Sequence, residues 1–380
     1  MCAVTRHLSE PPPPRLQLVR AASPPTAPKV VNSLKGSHPG IAFRSLIAAS
    51  VGIAVAALTF WYLHYLQPHT LGYDFTWPWR AARAVLEGKN PYVVIRASGI
   101  FPFDGNFNYP LPAALLAIPF SRLSPDIAAA AFSGLSAALL AFGLSRDDLG
   151  RLFILLSPPF LITAWSGQWS SAIMAAALLP AISWLVVCKP TVGTAAFVAR
   201  PNAIAVAVGT LLVLVSFLLV PTWVQDWLDS VRTNPGHRYM SPVMILRFGG
   251  PLLLLALLRW RTFEGRWLIA IAIVPQVLTM YTAFLPMLVA KTRREALVLS
   301  ALSAIAWVGW STQLDRHGGL TRQLEPALAG NWIVPLIFLP ALVIVLKRPN
   351  NGALPPALES LSARLPAWLR GNANYLTLSE

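Results

Sequence analysis

Apolar runs recur along this chain at roughly 45–66, 127–144, 152–165, 169–187, 203–220, 243–258, 267–290, 296–311 and 331–346, with a shorter one at 111–120. No other feature limits the fold so strongly. Buried in one soluble core, this much apolar sequence would be in large excess; distributed along the chain, it predicts a polytopic transmembrane bundle of the all-α class. Several runs are shorter than the ~20 residues that a straight span requires. They predict short, tilted or broken helices, whose irregular backbone is satisfied by neighbouring protein or a wet cavity. The transmembrane domain is placed at 41–348, with about nine to twelve membrane helices. The run at 267–290 resists counting, because 24 residues are too few to cross and return.

The charge pattern supplies orientation. Lys and Arg exceed Asp and Glu by 15, yet they sit in short segments beside the apolar runs and form no continuous patch, which argues against nucleic acid as a partner. Arg6, Arg15, Arg20, Lys29, Lys35 and Arg44 precede the first run against the single Glu10. The N-terminus is therefore expected in the cytoplasm of a plasma-membrane protein, and the segment after the first run outside. Arg259, Arg261, Arg266, Lys291, Arg293, Arg294, Lys347 and Arg348 are expected on the cytoplasmic face. Residues 1–40, with PPPP at 11–14, read as a disordered tail, and 349–380 as a polar tail. The first run begins too late and is too long for a signal-peptide core, so it is expected to stay as an anchor. Cys2 and Cys188 offer no disulfide framework.

Directly after that first run stands GYDFTWPWRAARAVLEGKNPY, residues 72–92. Thr76 reads as an N-cap, Pro78 as a first-turn residue and Gly88 as a terminator. The helix between them, ~11 residues and ~16 Å, is too short to span and is expected to lie in the interface, its Trp77, Ala81, Ala84 and Val85 side in the headgroup layer. Asp74 is expected at the aqueous mouth near the helix N-terminus, where a carboxylate stays ionised and can accept a proton. From position alone it is also a cap or a solvated charge.

Asp74-Phe75, the stretch Ala81-Ala82-Arg83 to Gly88-Lys89-Asn90-Pro91-Tyr92, Tyr109-Pro110-Leu111-Pro112, Gly167-Gln168-Trp169 and Lys189-Pro190 follow one another in an order that resembles the GT-C class of integral membrane glycosyltransferases. More narrowly the pattern resembles its polyprenyl-phosphate-mannose-dependent branch, glycosyltransferase family 87, over roughly 45–310. The resemblance implies a GT-C-like bundle with short interfacial helices in the first extracytoplasmic loop. It also implies a polyprenyl-phosphate-linked sugar donor, a glycolipid or glycan acceptor and inversion at the anomeric carbon. Asp74 is then the general base for a hexose transfer, mannose above all.

The leaving phosphate needs cations. Arg80 and Arg83 are candidates, or else pair with Glu87 and lipid headgroups; His237 and Arg238 are candidates, or else belong to a solvated loop. Gln168 and Trp169 either hydrogen-bond and stack a sugar or form a tight turn with a membrane-belt Trp. Lys189 either lines the site or snorkels to the cytoplasmic face. Tyr109, with Asn108, either lines the cavity or sits at an ordinary interface. No DxD pair occurs, so neither metal nor other cofactor is expected. The alternative function is a transporter or flippase, since broken helices also mark transport sites; a membrane scaffold using the Pro-rich tail is a third reading.

Overall fold

A computed structural model describes residues 39–96, 105–233, 243–275, 280–316, 330–352, 359 and 364–366. Its described regular elements are all helical. Three helices are long and apolar enough to cross a membrane, Ile41–Leu66, Pro125–Leu144 and Arg293–Gln313. A fourth is possible if Ala203–Leu219 and Trp223–Thr233, bent by 92°, are taken as one span. This is fewer than the sequence pattern suggests, and proline explains much of the difference. Pro158 and Pro159 divide the run at 152–165, and Pro180 divides the one at 169–187. Without a backbone N–H, and with its ring against the preceding turn, proline stops each helix short.

The frame is an antiparallel pair, α1 (Ile41–Trp61, continued by a π-type turn at Tyr62–Leu66) and α4 (Pro125–Leu144). Between them come α2 (Thr76–Leu86) and α3 (Leu111–Ala117). A side chain on Gly52 would meet Gly134 O at 2.9 Å, and one on Gly134 would meet Gly52 O at 2.6 Å. Paired glycines thus let α1 and α4 touch backbone to backbone, the device by which apolar helices associate without help from water. The pair has a polar contact at each end: Arg44 donates to Phe142 O at 2.7 Å, and His64 Nδ1 lies 2.8 Å from Asp126 Oδ2.

Beyond α4 the chain makes short strokes: α5 (Pro158–Trp165), α6 (Ser170–Leu178), a 3-10 stretch Pro180–Cys188 and α7 (Pro190–Ala199). Then follow α8 (Ala203–Leu219), α9 (Trp223–Thr233), α10 (Phe263–Ile273), a 3-10 stretch Thr282–Val289, α11 (Arg293–Arg316) and α12 (Leu339–Leu346). The run at 267–290 is resolved as a hairpin of α10 against Thr282–Val289, held where Trp267 Nε1 donates to Leu285 O at 2.8 Å. Neither arm, at 11 and 8 residues, is a full span.

Many of the basic residues expected on one face do gather at the Arg44 end. Arg151 donates to Ala290 O at 2.9 Å, Arg259 to Leu346 O at 2.8 Å and Arg266 to Ala199 O at 3.0 Å, so guanidinium groups meet carbonyls that helix ends leave unpaired. Buried Glu264 pairs with Lys291 at 2.9 Å.

α2 has the predicted length and stop. Gly88 takes φ +68°, and Lys89 N–H donates to Ala84 O at 2.8 Å, a glycine-terminated helix end. Its start differs from expectation: Phe75 holds the N-cap position, and the Thr76 hydroxyl instead accepts from Gly72 N–H at 2.7 Å. Its surroundings differ too. Of the side expected in the headgroup layer, Ala81 and Ala84 are fully buried and Trp77 and Val85 half-buried against the same small cluster as Ala81, so that side packs on protein. The cluster joins Ala81 to Tyr92, Phe107, Leu111 and Trp223.

Candidate active site at the start of α2

The turn that carries Asp74 is tightly specified. Leu71 and Tyr73 adopt φ +56° and +46°, left-handed values that cost side chains of this size of order 1–3 kcal/mol each unless neighbours enforce them. The enforcement is visible. Asp74 N–H donates to Ser166 O at 3.1 Å, while Phe75, fully buried, stacks on Phe132 at 4.2 Å between ring centres.

Across the turn lies Gly167, at φ +59°, in the break between α5 and α6. A side chain there would meet Gly72 O at 2.9 Å and Phe75 Cβ at 3.0 Å. Glycine is needed on both counts, φ and space. Gly167→Ala is therefore expected to destabilise the protein by about 1–3 kcal/mol, read as a lower Tm, and to depress any Asp74-dependent activity by moving the next residue.

That residue is Gln168, 4% exposed, and it bridges two charges. Its Nε2 donates to Asp74 Oδ2, and its Oε1 accepts from Lys189 Nζ at 2.8 Å. Tyr109 OH also donates to Asp74 Oδ2, at 3.1 Å. The Lys189 ammonium stands over two rings, 5.7 Å from the centre of Tyr109 and 5.8 Å from that of Tyr281. Trp169, fully buried, closes the wall against Phe132 at 5.0 Å and Tyr109 at 6.1 Å. Its Nε1 is buried with no hydrogen-bond partner among the described residues.

Four of the residues singled out from the sequence thus converge: Asp74, Tyr109, Gln168 and Lys189. Several expectations about them are corrected. Asp74 is half-buried inside the cluster, not at an open mouth, and its carboxylate bonds to side chains instead of the α2 N-terminus. Burial pushes its carboxyl above the ordinary range, against the Lys189 charge and the hydrogen bonds from Tyr109 and Gln168, which pull it down. Lys189 does not snorkel to the basic end, because Pro190 begins a new helix there and the side chain finds an amide and two ring faces. Trp169 is no membrane-belt residue. Burial, then the charge of Asp74, raises the Tyr109 phenol, so it remains a donor at neutral pH.

Arg80 and Arg83 do not join this group; neither contacts the Asp74 carboxylate, and Arg83 lies over the Trp79 ring at 5.0 Å. Asn108 instead supports the wall, its Oδ1 accepting from Ser230 Oγ at 3.2 Å. His237 and Arg238 lie outside the described residues. Tyr281 was not anticipated; the only hint was a tyrosine inside an apolar run too short to cross twice.

Both hydrogen bonds to the Asp74 carboxylate converge on Oδ2, and Oδ1 accepts none from any described residue. The acid is thus held by one oxygen and presents the other. A cleft of about 430 Å³ runs past Pro110 and Pro190, which follow Tyr109 and Lys189 in the chain, and on between Val187, Phe197 and Val213; Asp74 itself is not in its lining. Its walls are mostly apolar. Among the described residues no cluster of His, Cys, Asp and Glu suited to a metal ion occurs. Comparison with protein-family models, curated proteins and solved structures gives no match.

Proposed function

We propose that the protein is an inverting glycosyltransferase that moves a hexose, mannose first among the candidates, from a polyprenyl-phosphate donor to a hydroxyl of a glycolipid or glycan at the outer face of the plasma membrane. The observation that carries this reading is the one-sided clamp on Asp74: Oδ2 fixed by Tyr109 and Gln168, Oδ1 open, a lysine one amide away. Asp74 Oδ1 takes the proton from the acceptor hydroxyl as its oxygen attacks the anomeric carbon from the side opposite the phosphate. The bond from that carbon to the phosphate oxygen breaks, its electron pair leaving with the phosphate. Lys189 supplies the positive charge that the departing oxygen needs, in the role first considered for arginine and histidine. The apolar cleft at Pro110 and Pro190, one residue on from Tyr109 and Lys189, is the place assigned to the donor's hydrocarbon.

One observation favours the second reading, a transporter or flippase. Gln168 and Lys189, which link to the Asp74 carboxylate, lie at helix breaks, Gly167–Trp169 and Cys188–Pro190, an arrangement that suits proton-coupled transport as well. Purified protein in proteoliposomes, given labelled polyprenyl-phosphate mannose and a membrane lipid extract, separates the two. The transferase reading expects label on an acceptor with the anomer inverted. Label that stays on the prenol while it crosses the bilayer, or a collapsing proton gradient, contradicts it.

A further inference from the structure

We infer that a second cleft, between α2 and the turn that leads into α4, binds a phosphate group such as an anionic lipid headgroup carries. The cleft is open, holds about 540 Å³, and is lined by Trp79, Arg83, Glu87, Arg122 and Ser121 among others. Both arginines are exposed, and neither forms an ion pair with a described carboxylate. The acid in the lining, Glu87, is engaged by Lys89 at 2.6 Å, and nearby Asp126 by His64 at 2.8 Å. Two guanidinium groups therefore face one cleft with the local acids already paired, and planar forks of this kind match phosphate oxygens.

The cleft is also preorganised. Trp79 Nε1 donates to Phe120 O at 3.1 Å and to Leu123 O at 3.2 Å, which ties α2 to the turn bearing Arg122. Arg83 rests on the Trp79 face, so the ring that fixes the cleft floor also orients the guanidinium. At the rim, Leu86 and Leu123 are 59% and 39% exposed, an apolar edge suited to the acyl side of a lipid. Arg83 stands seven positions after Thr76, the first residue of α2, and so roughly 10 Å along the helix from the end that adjoins the Asp74 turn. This phosphate is thus distinct from any group leaving beside Lys189, and the inference is independent of the proposed transfer reaction.

The test uses full-length protein in an uncharged detergent, titrated separately with dihexanoyl phosphatidylglycerol, uncharged dihexanoylglycerol and inorganic phosphate. The phospholipid is expected to bind saturably and the uncharged glyceride not to bind. Arg83→Gln with Arg122→Gln is expected to weaken phospholipid binding by at least about tenfold, with unchanged elution and Tm because both side chains are exposed. Arg83→Lys with Arg122→Lys retains part of it. Inorganic phosphate bound as tightly, with the same loss in the glutamine variant, identifies free phosphate as the source and upholds the site. Unchanged phospholipid binding in that variant, equal binding of the uncharged glyceride, or a loss produced instead by Arg293→Gln with Arg294→Gln at the opposite end overturns it.

Discussion

Replacing Asp74 with Asn is expected to lower sugar transfer by at least about a hundredfold, the smaller end of what a positioned general base contributes, while leaving the fold intact. The amide oxygen of Asn can still accept from Tyr109 and Gln168, so the clamp survives, but no basic carboxylate oxygen remains. Stability should not fall, and the sign follows from burial. The Asp74 carboxyl is raised above its ordinary 3.8, so the folded protein holds that proton more tightly than the unfolded chain does. This contribution is fully present below the unfolded value and is lost as pH rises through the folded one. At neutral pH the native protein bears the cost of a half-buried charge that the Asn variant avoids. Thermal denaturation should therefore give a Tm for Asp74→Asn equal to or above the wild type, alongside the collapse in rate. A site that gives up stability for reactivity behaves in this way.

Lys189→Met is expected to act through both halves of the reaction. It removes the cation proposed to meet the leaving oxygen, which for a single preorganised donor costs about 10²–10³ in kcat. It also removes the charge that pulls the Asp74 carboxyl down against burial, so the acid limb of the pH–rate profile should move to higher pH. A lysine that merely braces the loop would lower activity without moving that limb. Lys189→Arg keeps the charge but not the compact ammonium between two rings, and should recover the position of the limb more fully than the rate.

Much of the site could be read from residue order. Asp74 beside a short amphipathic stretch, Gly167-Gln168 between two apolar runs and Lys189-Pro190 after another each break a hydrophobic pattern, and those breaks are where the folded chain collects its polar groups. Periodicity could not tell which way a side chain turns. For Lys189, snorkelling and an inward turn are equally compatible with one residue at the end of an apolar run; the difference lies in Gln168 and Tyr109, 21 and 80 positions earlier. For Arg83, nearness in sequence to Asp74 suggested nearness in space, whereas α2 carries it roughly 10 Å along the axis from its Thr76 end. Tyr281 stayed hidden because the hairpin that delivers it is specified by packing of Trp267 on Leu285 O, not by any local signal. The length of α2 and its stop were legible, since Pro78 and Gly88 act locally; its cap was not, because the Thr76 hydroxyl turns back to Gly72 N–H, and neither was what it packs against, because alanine reads alike beneath lipid and beneath protein.

The most direct measurement is the pH dependence of transfer from labelled polyprenyl-phosphate mannose, wild type against Asp74→Asn, both at saturating donor. The wild type should lose activity as pH falls through one ionisation, at a midpoint above the ordinary carboxylate value, and the small residual rate of the variant should be flat across that range. An identical acid limb in both proteins, or comparable rates at neutral pH, would place the proton acceptor elsewhere and contradict the account.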